Sequence, residues 1–300
     1  MNKEIRFEVT NMCNARCIMC PREKMMRPQG VMDMDLYIRV LDEARKMGAD
    51  TVSLENYGET FLDPYFFERA AYAKGKGMSV LTITNGSLFD KDAARKAVYF
   101  VDKIRFSIYG TTKEVYETIH RGLKYETVVS NIEYLLEEKK RLKKQTPRVE
   151  VYFLLMEENK HQMEEFKERW LGRVDDIAIW KPHNWSDGRK FREPLDKPKA
   201  TCGRPSKGPV QVQWDGLVVP CCFDYNSNIV LGDLNRQTIH EVLNSKEYNE
   251  FRKAHAEGRF SQYPFCDSCD QLVKREDVLV FTTIKKAQVG AVNTTYDKVG

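Results

Sequence analysis

The chain has 300 residues, of which 42% are hydrophobic and 31% are charged, a composition that excludes wholesale disorder and is typical of a soluble globular protein. The net charge of +4 is too small to indicate a nucleic-acid partner, and no apolar run approaches the ~20 residues of a membrane span. The N-terminus lacks the apolar core of a secretory signal, so we expect a cytoplasmic protein. At ~100–200 residues per domain, the length predicts two domains.

Six short apolar or β-branched segments alternate with helical patterns along the first two thirds of the chain. The predicted strands lie at about 4–9, 51–54, 80–83, 104–108, 149–155 and 176–180. The predicted helices lie at about 34–48 and 64–76, in two stretches between the fourth and fifth strands (the second at about 125–144), and at about 159–171. Serial β-α units form a parallel sheet with right-handed crossovers, so we predict an α/β fold with a partial (β/α)6 TIM-like barrel. In such sheets ligands bind at the carboxyl ends of the strands.

The pattern changes after the sixth predicted strand. Prolines and turn residues interrupt regular structure, which predicts a linker at 183–200 between a barrel domain at 1–182 and a small α+β domain at 201–300. The second domain should open with a hairpin around Asp215-Gly216, followed by a helical region at about 238–257.

The eight cysteines fall into two groups that a long cysteine-free stretch separates. In a cytosolic protein, clustered cysteines are more often metal ligands or catalytic groups than disulfides. The first cysteine group, Cys13-x3-Cys17-x2-Cys20, directly follows the first strand. Three thiolates at this spacing can hold three irons of a four-iron cluster and leave the fourth iron open to an exogenous ligand. A structural zinc site needs a fourth close ligand, and the first histidine in the sequence is His120.

The second cysteine group comprises Cys202, Cys221, Cys266 and Cys269, and it leaves Cys222 as a spare. Four thiolates can complete a tetrahedral zinc site or a four-iron cluster equally well, so residue chemistry alone does not choose between them. For Cys222 we consider two hypotheses: an inert neighbour or alternative ligand, and a catalytic residue that donates a hydrogen atom to a substrate radical.

The first cysteine group at the end of the first strand resembles that of the radical S-adenosylmethionine (SAM) superfamily, and the resemblance covers about residues 5–180. Further segments at successive strand ends carry the same resemblance: Asn56-Tyr57-Gly58-Glu59-Thr60, Thr84-Asn85-Gly86, Arg105–Gly110 and Glu114–Gly122. Tyr57 and Thr60 depart from the family's Gly-Gly-Glu-Pro pattern. Met19 stands before the third cysteine, where the family usually has an aromatic residue near the adenine.

The resemblance implies roles in binding SAM. Glu59 and the adjacent backbone would bind the amino group of SAM, Ser107 would approach the ribose, and Arg121 would meet the carboxylate. The complete predicted set of cofactor-binding residues is Met19, Tyr57, Gly58, Glu59, Thr60, Asn85, Ser107 and Arg121.

The last third of the chain, including Gly232-Asp233-Leu234, resembles the SPASM/twitch extension of radical SAM enzymes. This resemblance implies that the second cysteine group ligates one auxiliary [4Fe–4S] cluster. The expected cofactors are therefore two [4Fe–4S] clusters and SAM, and the expected partners are a small-molecule or peptide substrate and a reductant such as flavodoxin or ferredoxin.

The resemblance implies an enzyme that reductively cleaves SAM to a 5′-deoxyadenosyl radical, which abstracts a hydrogen atom from a substrate. Our main hypothesis is dehydrogenation of a small polar substrate with help from the auxiliary cluster. Epimerisation and peptide modification are the alternatives within the family. A non-catalytic zinc or iron–sulfur scaffold is the alternative from another class, and it has no use for the ordered strand-end segments. The linker group His183, Asp187 and Arg189 could supply a general base or could be surface charge.

Overall fold

The computed structural model describes residues 3–186, 189–193, 201–273 and 278–285. The predicted linker at 183–200 therefore lies partly outside the described residues, and so does Asp187 of the predicted linker group. Within the described residues the strands are β1 (Glu4–Phe7), β2 (Arg16–Cys17), β3 (Thr51–Leu54), β4 (Ser79–Thr84), β5 (Lys103–Ser107), β6 (His120–Arg121), β7 (Arg148–Leu154), β8 (Asp176–Trp180), β9 (Val210–Val212), β10 (Leu217–Val219), β11 (Gly232–Asp233) and β12 (Leu279–Thr282).

The helices over the same part of the chain are α1 (Met34–Lys46), α2 (Phe66–Gly75), α3 (Lys91–Phe100), α4 (Lys113–Ile119), α5 (Tyr125–Arg141), α6 (Met163–Trp170), α7 (Arg204–Lys207), α8 (Ile239–Asn244), α9 (Lys246–Glu257) and α10 (Pro264–Asp267). We assigned no element at 91–100, yet α3 forms there, and the Asp90 side chain caps it by accepting from the Ala93 N–H at 2.9 Å. The predicted helix at 238–257 is two helices, because Ser245 ends α8 and caps α9.

The six predicted strands of the barrel are confirmed as one parallel sheet in the order β1-β3-β4-β5-β7-β8. Helices α1 to α6 connect these strands, as serial β-α units require. Side chains on one face of the strands, such as Ile5, Phe7 and Ile104, are fully buried in the core against the helices. The chain therefore has the predicted partial (β/α)6 barrel.

The opposite face of these strands carries paired charges in place of the branched apolar side chains common inside such barrels. Arg6 lies 3.1 Å from Glu55, and Arg105 lies 3.0 Å from Glu150. All four side chains are at most one tenth exposed. Pairing matters here because a buried charge without a partner is strongly destabilising.

The hairpin of the last third does not form a sheet of its own. β9 lies parallel to β1, with Val210 opposite Ile5, and β10 and β11 follow in antiparallel order. At the other edge of the sheet, β12 pairs with β8. The region after the barrel therefore extends the barrel's own sheet, and Cys221 follows the end of β10.

Candidate functional site

A cavity of about 230 Å³ opens at the carboxyl ends of the parallel strands, where the fold predicts a ligand site. Its walls come from the loops after β1, β3, β4 and β5, from β2 and β6, from the ends of β4, β5 and β7, and from the segment after β8. The lining residues are Cys13, Ala15, Arg16, Cys17, Met19, Cys20, Arg22, Glu23, Asn56, Tyr57, Gly58, Glu59, Ile83, Thr84, Asn85, Ser107, Tyr109, His120, Leu154 and Trp185.

The whole first cysteine group lines this cavity. Partial burial raises the pKa of the Cys13 thiol to about 11. Burial also raises the pKa of Cys17, and negative charge on Cys20 and Cys13 would raise it further, because the three sulfurs lie near one another. Free thiolates are therefore unfavourable here, whereas iron stabilises thiolates by binding them. Three neighbouring thiols around one cavity fit the donor set of an iron–sulfur cluster.

His120 lies beside this group, although it stands far from it in the sequence. Its Nδ1 is 3.1 Å from the Sγ of Cys17, and its ring packs between Tyr109 and Tyr116, with both centroid distances 4.6 Å. Burial lowers the pKa of His120 to about 3, so the imidazole is neutral at physiological pH. The sequence placed no histidine near the cysteines, because the pairing of β2 with β6 that brings them together leaves no pattern in a single sequence.

Glu59 is 1% exposed, and its carboxylate joins the loops after β3 and β4. Oε1 accepts a hydrogen bond from the Thr84 hydroxyl at 2.5 Å, and Oε2 accepts from the Asn85 backbone N–H at 2.7 Å. Burial raises the pKa of Glu59 to about 7, although these donors act in the opposite direction. The Asn85 side chain in turn donates to Asn14 Oδ1 at 3.0 Å, within the first cysteine group's loop.

Gly58 is required where the β3 loop meets the loop of the first cysteine group. Its φ of +91° is left-handed, and a Cβ at this position would lie 2.5 Å from the Thr10 carbonyl oxygen and 2.6 Å from that of Met12. The close approach lets the Glu59 backbone N–H donate to the Met12 carbonyl at 2.7 Å. Only glycine fits both the conformation and the space.

The structure brings six of the eight predicted SAM-binding residues to the cavity wall: Met19, Tyr57, Gly58, Glu59, Asn85 and Ser107. Thr60 is buried behind the wall, where its hydroxyl donates to the Leu54 carbonyl at 3.0 Å and closes the end of β3. Arg121 is exposed in β6, directly opposite Arg16, and is not part of the wall.

Four aromatic side chains link the cavity to the segment after Cys222, and we refer to them as the aromatic wall: Tyr57 and Trp185 line the cavity, and Phe223 and Tyr225 follow Cys222. The Tyr57 ring lies 5.9 Å from Trp185 and from Tyr225, and Trp185 lies 5.5 Å from Phe223. The Tyr57 hydroxyl donates to the backbone carbonyl of Cys222. One residue of the cavity thus contacts the segment that carries Cys221 and Cys222.

The segment after β8, which includes the predicted linker group, holds the first cysteine group's loop. The Trp185 indole and the Arg189 guanidinium both donate to the Met19 carbonyl, at 3.0 and 2.8 Å, and Arg189 also donates to that of Cys20 at 3.1 Å. His183 packs 4.0 Å from Trp185, and burial together with nearby arginines keeps its pKa well below the usual value. Of the two members of the predicted linker group that the structure describes, Arg189 therefore holds the backbone of the first cysteine group's loop, and His183 is neutral and packs against aromatic rings.

The second cysteine group is drawn from separate elements. Cys202 precedes α7, Cys221 follows β10, Cys266 lies in α10, and Cys269 follows α10. Burial raises the pKa of Cys266, and negative charge on Cys202 and Cys269 would raise it further. Burial also raises the pKa of Cys221, and negative charge on Cys269 would add to that increase. The four sulfurs therefore face a common region. Over the described part of the chain, no three His, Cys, Asp or Glu side chains surround a single-ion position.

Arg204 is the charged neighbour of the second cysteine group. Its Nη1 lies 3.7 Å from the Sγ of Cys222, and its positive charge lowers the pKa of Cys221 against the larger effect of burial. The Cys222 thiol therefore faces Arg204 and does not line the cavity, while its role as hydrogen donor stays a prediction.

Among the described helices, none is long and apolar enough to cross a bilayer.

Two family models match the chain: the radical SAM superfamily over residues 7–170, and SPASM, an iron–sulfur cluster-binding domain, over residues 202–270. The tungsten-containing aldehyde ferredoxin oxidoreductase cofactor-modifying protein of Pyrococcus furiosus is 24% identical over 334 aligned positions, which cover 92% of this chain and 91% of that protein. The S-adenosyl-L-methionine-dependent 2-deoxy-scyllo-inosamine dehydrogenase of Niallia circulans is 30% identical over 57 positions, or 19% of this chain and 23% of that enzyme.

Among solved structures, BtrN in complex with AdoMet and 2-DOIA superposes with a TM-score of 0.63 at 18% identity. The superposition covers 93% of this chain and 99% of BtrN. At this identity the likeness shows that the two chains share a fold.

Proposed function

The chain belongs to the radical SAM superfamily and carries a SPASM domain, and from this premise we propose that it dehydrogenates a small polar substrate. It is a radical SAM enzyme, and its cofactors are SAM and iron–sulfur clusters. When bound, SAM and the first cluster supply a carbon-centred radical that takes a hydrogen atom from the substrate, and the auxiliary cluster supplies an acceptor for the electron that oxidation releases.

We assign the first cluster to Cys13, Cys17 and Cys20, and the auxiliary cluster to Cys202, Cys221, Cys266 and Cys269. The donor sets fit: three thiols share one cavity, and four thiols from separate elements face one region. Gly58 lets the backbone next to Glu59 reach the first group, and Glu59 holds the loops after β3 and β4 in fixed positions.

The contact between Tyr57 and Cys222 is the observation that carries the proposal. Tyr57 lines the cavity, and its hydroxyl is bonded to the backbone of the residue next to Cys221. An electron released in the cavity is therefore one aromatic layer away from the second cysteine group. Tyr57, Phe223 and Tyr225 are buried, and shielding of this side of the cavity from solvent would protect reactive intermediates.

The similarity to the Pyrococcus furiosus protein over 92% of the chain favours a second candidate function. In that case the substrate would be an enzyme cofactor rather than a free metabolite. Modification of a peptide also stays a prediction, because the cavity opens outward and its described walls do not exclude a larger substrate.

Turnover in deuterated solvent tests the proposal. The reconstituted full chain would be incubated anaerobically with SAM, dithionite and a panel of polyols, amino sugars and cyclitols. We expect a product that lacks two hydrogens and carries no solvent deuterium on carbon, with stoichiometric 5′-deoxyadenosine. Deuterium on carbon at unchanged oxidation level would indicate epimerisation and reject dehydrogenation.

The matched variants are Cys269→Ala and Cys13→Ala. If the auxiliary cluster accepts the electron, Cys269→Ala should still form 5′-deoxyadenosine while the oxidised product falls. Cys13→Ala should lose both products. Equal oxidation by wild type and Cys269→Ala would remove the auxiliary cluster from the proposed reaction.

A further inference from the structure

We propose that His120 is a positioning residue of the first cluster, which it serves by donating a hydrogen bond from Nδ1–H to the Cys17 thiolate and so raising the cluster's reduction potential. The inference rests on the proposed assignment of the first cluster to Cys13, Cys17 and Cys20. It adds a residue that the strand-end segments did not identify.

The backbone alone places the two residues together. β2 and β6 form a separate two-stranded antiparallel sheet, in which Cys17 is directly opposite His120. The Ile18 N–H donates to the Ile119 carbonyl at 3.0 Å next to this pair. Side chains directly opposite on antiparallel strands have Cβ atoms about 4.5–5.5 Å apart. The 3.1 Å approach of Nδ1 to Sγ therefore agrees with the register of the backbone.

The ring of His120 is held in one orientation. Tyr109 and Tyr116 cover its two faces at interplanar angles of 38° and 31°, and the residue is 1% exposed. Nδ1 faces Cys17, whereas Nε2 is buried without a hydrogen-bond partner among the described residues. The aromatic contacts hold the plane of the ring, and within that plane Nδ1 is the nitrogen that faces the sulfur.

The chemistry of a ligating thiolate selects the tautomer. A neutral imidazole carries one N–H. With the proton on Nδ1, His120 donates to sulfur and leaves only an acceptor unpaired at Nε2. With the proton on Nε2, a lone pair would face the thiolate and a buried N–H would be unsatisfied, which costs more. The site therefore favours Nδ1–H.

A hydrogen bond to a ligating sulfur stabilises the reduced cluster more than the oxidised one, because the reduced cluster carries one more negative charge. By contrast, Cys13 Sγ receives a backbone N–H, that of Ala15, at 3.4 Å. Substitution can remove a side-chain donor but not a backbone donor. Replacing His120 therefore tests directly how much this hydrogen bond contributes to the cluster's reduction potential.

The test is an EPR-monitored redox titration of the anaerobically reconstituted full chain. The first cluster's signal is the one that SAM perturbs and that Cys13→Ala lacks. His120→Phe keeps a ring between the tyrosines but removes the donor, whereas His120→Asn retains an N–H near the position of Nδ1–H. Tyr116→Phe is the control, because it removes a buried hydroxyl without a hydrogen-bond partner in the described structure.

At the wild-type midpoint potential, His120→Phe should show a roughly fivefold lower ratio of reduced to oxidised first cluster, the size expected for one lost hydrogen bond. His120→Asn and Tyr116→Phe should stay within twofold of wild type. An unchanged ratio in His120→Phe, with SAM still perturbing the signal, overturns the inference and leaves the proposed function intact. The absence of any SAM-responsive cluster in the wild type overturns both.

A second measurement needs no variant to fold. In wild type labelled with ¹⁵N-histidine, pulsed EPR of the reduced first cluster should show a weak nitrogen coupling through the hydrogen bond. A coupling of the strength of a direct iron–nitrogen bond, or no coupling, overturns the inference. Unlabelled SAM contributes no ¹⁵N signal, so its amino group does not confuse the result.

Discussion

The two cysteine groups differ in how the chain assembles them. The first lies on one short loop after β1, and the pairing of β2 with β6 fixes its middle cysteine. The second collects its four cysteines from three places along the last third of the chain: before α7, after β10, and at α10. Their surroundings differ as well: neutral His120 contacts Cys17, whereas the cation of Arg204 lies beside Cys221 and Cys222. Cations lower a thiol pKa in both groups, Arg189 and Arg22 at Cys20 and Arg204 at Cys221. The comparison therefore teaches that the neutral histidine beside Cys17 is what distinguishes the first group.

The largest expected effect comes from removing one cysteine ligand from either group, because only the first group should be needed for SAM cleavage. Cys13→Ala should lower iron and acid-labile sulfide from about eight to about four per chain and abolish 5′-deoxyadenosine formation. Cys266→Ala should lower the metal content similarly while retaining SAM cleavage. Loss of SAM cleavage in both variants to the same extent would show that the two groups are not independent.

The tight contact that holds the first group's loop should be the next most sensitive feature. Gly58→Ala adds both a disfavoured φ and an overlap with two carbonyl oxygens, so we expect the free energy of unfolding to fall by about 3–4 kcal/mol. Gly48→Ala is the matched control: its φ of +94° is nearly the same, but nothing lies within 4 Å of the added Cβ. It should cost about 1 kcal/mol. Equal urea midpoints for the two variants would contradict a tight contact at Gly58.

The buried carboxyl group of Glu59, next to the first cysteine group, should make the free energy of unfolding depend on pH. Burial raises the pKa of folded Glu59 from 4.5 to about 7, so between these values the folded state keeps a proton that the unfolded chain has lost. Its stabilisation is full below pH 4.5 and is lost as pH rises through 7, by up to about 3 kcal/mol. Urea unfolding of wild type and Glu59→Gln from pH 5.5 to 8 measures this. The wild type should lose more stability over that range; parallel curves would place the carboxyl's pKa near its usual value.

The smallest effect concerns the charge beside the second group. Arg204→Gln removes a cation that favours the reduced auxiliary cluster, so the ratio of reduced to oxidised auxiliary cluster should fall roughly tenfold at the wild-type midpoint. The first cluster should not change. Arg236→Gln, at an exposed arginine of the same region, is the control for a general change in charge. A shift of both clusters in Arg204→Gln would contradict the separate surroundings inferred for the two groups.

The features that could be predicted from the sequence are those that depend on short, local patterns of residues. The strands, the first cysteine group and the segments at Gly58 and Asn85 each combine a short pattern with a position after a strand, and the fold brings such positions to one edge. The prediction missed α3, although its sequence carries a helical signal: Ala93, Ala94, Ala97 and Val98 recur at helical spacing on the buried face, and Asp90 stands at the N-cap.

What the sequence did not predict depends on pairings between distant segments. The contact of His120 with Cys17 requires β2 to pair with β6, and the contact of Tyr57 with Cys222 requires β9 to join β1. Neither pairing has a periodic signal, because both involve two or three residues of each strand. Arg189 was seen as a charge near the site, but its bonds to the Met19 and Cys20 carbonyls follow only from the folded chain.

Mössbauer spectroscopy of the ⁵⁷Fe-reconstituted chain, recorded with and without SAM, tests the central claim most directly. If three sulfurs hold the first cluster and its fourth iron accepts SAM, about one iron in eight should change its isomer shift when SAM is added. A spectrum that SAM leaves unchanged, with both clusters present, would mean that a side chain already occupies the fourth iron, and it would contradict the account.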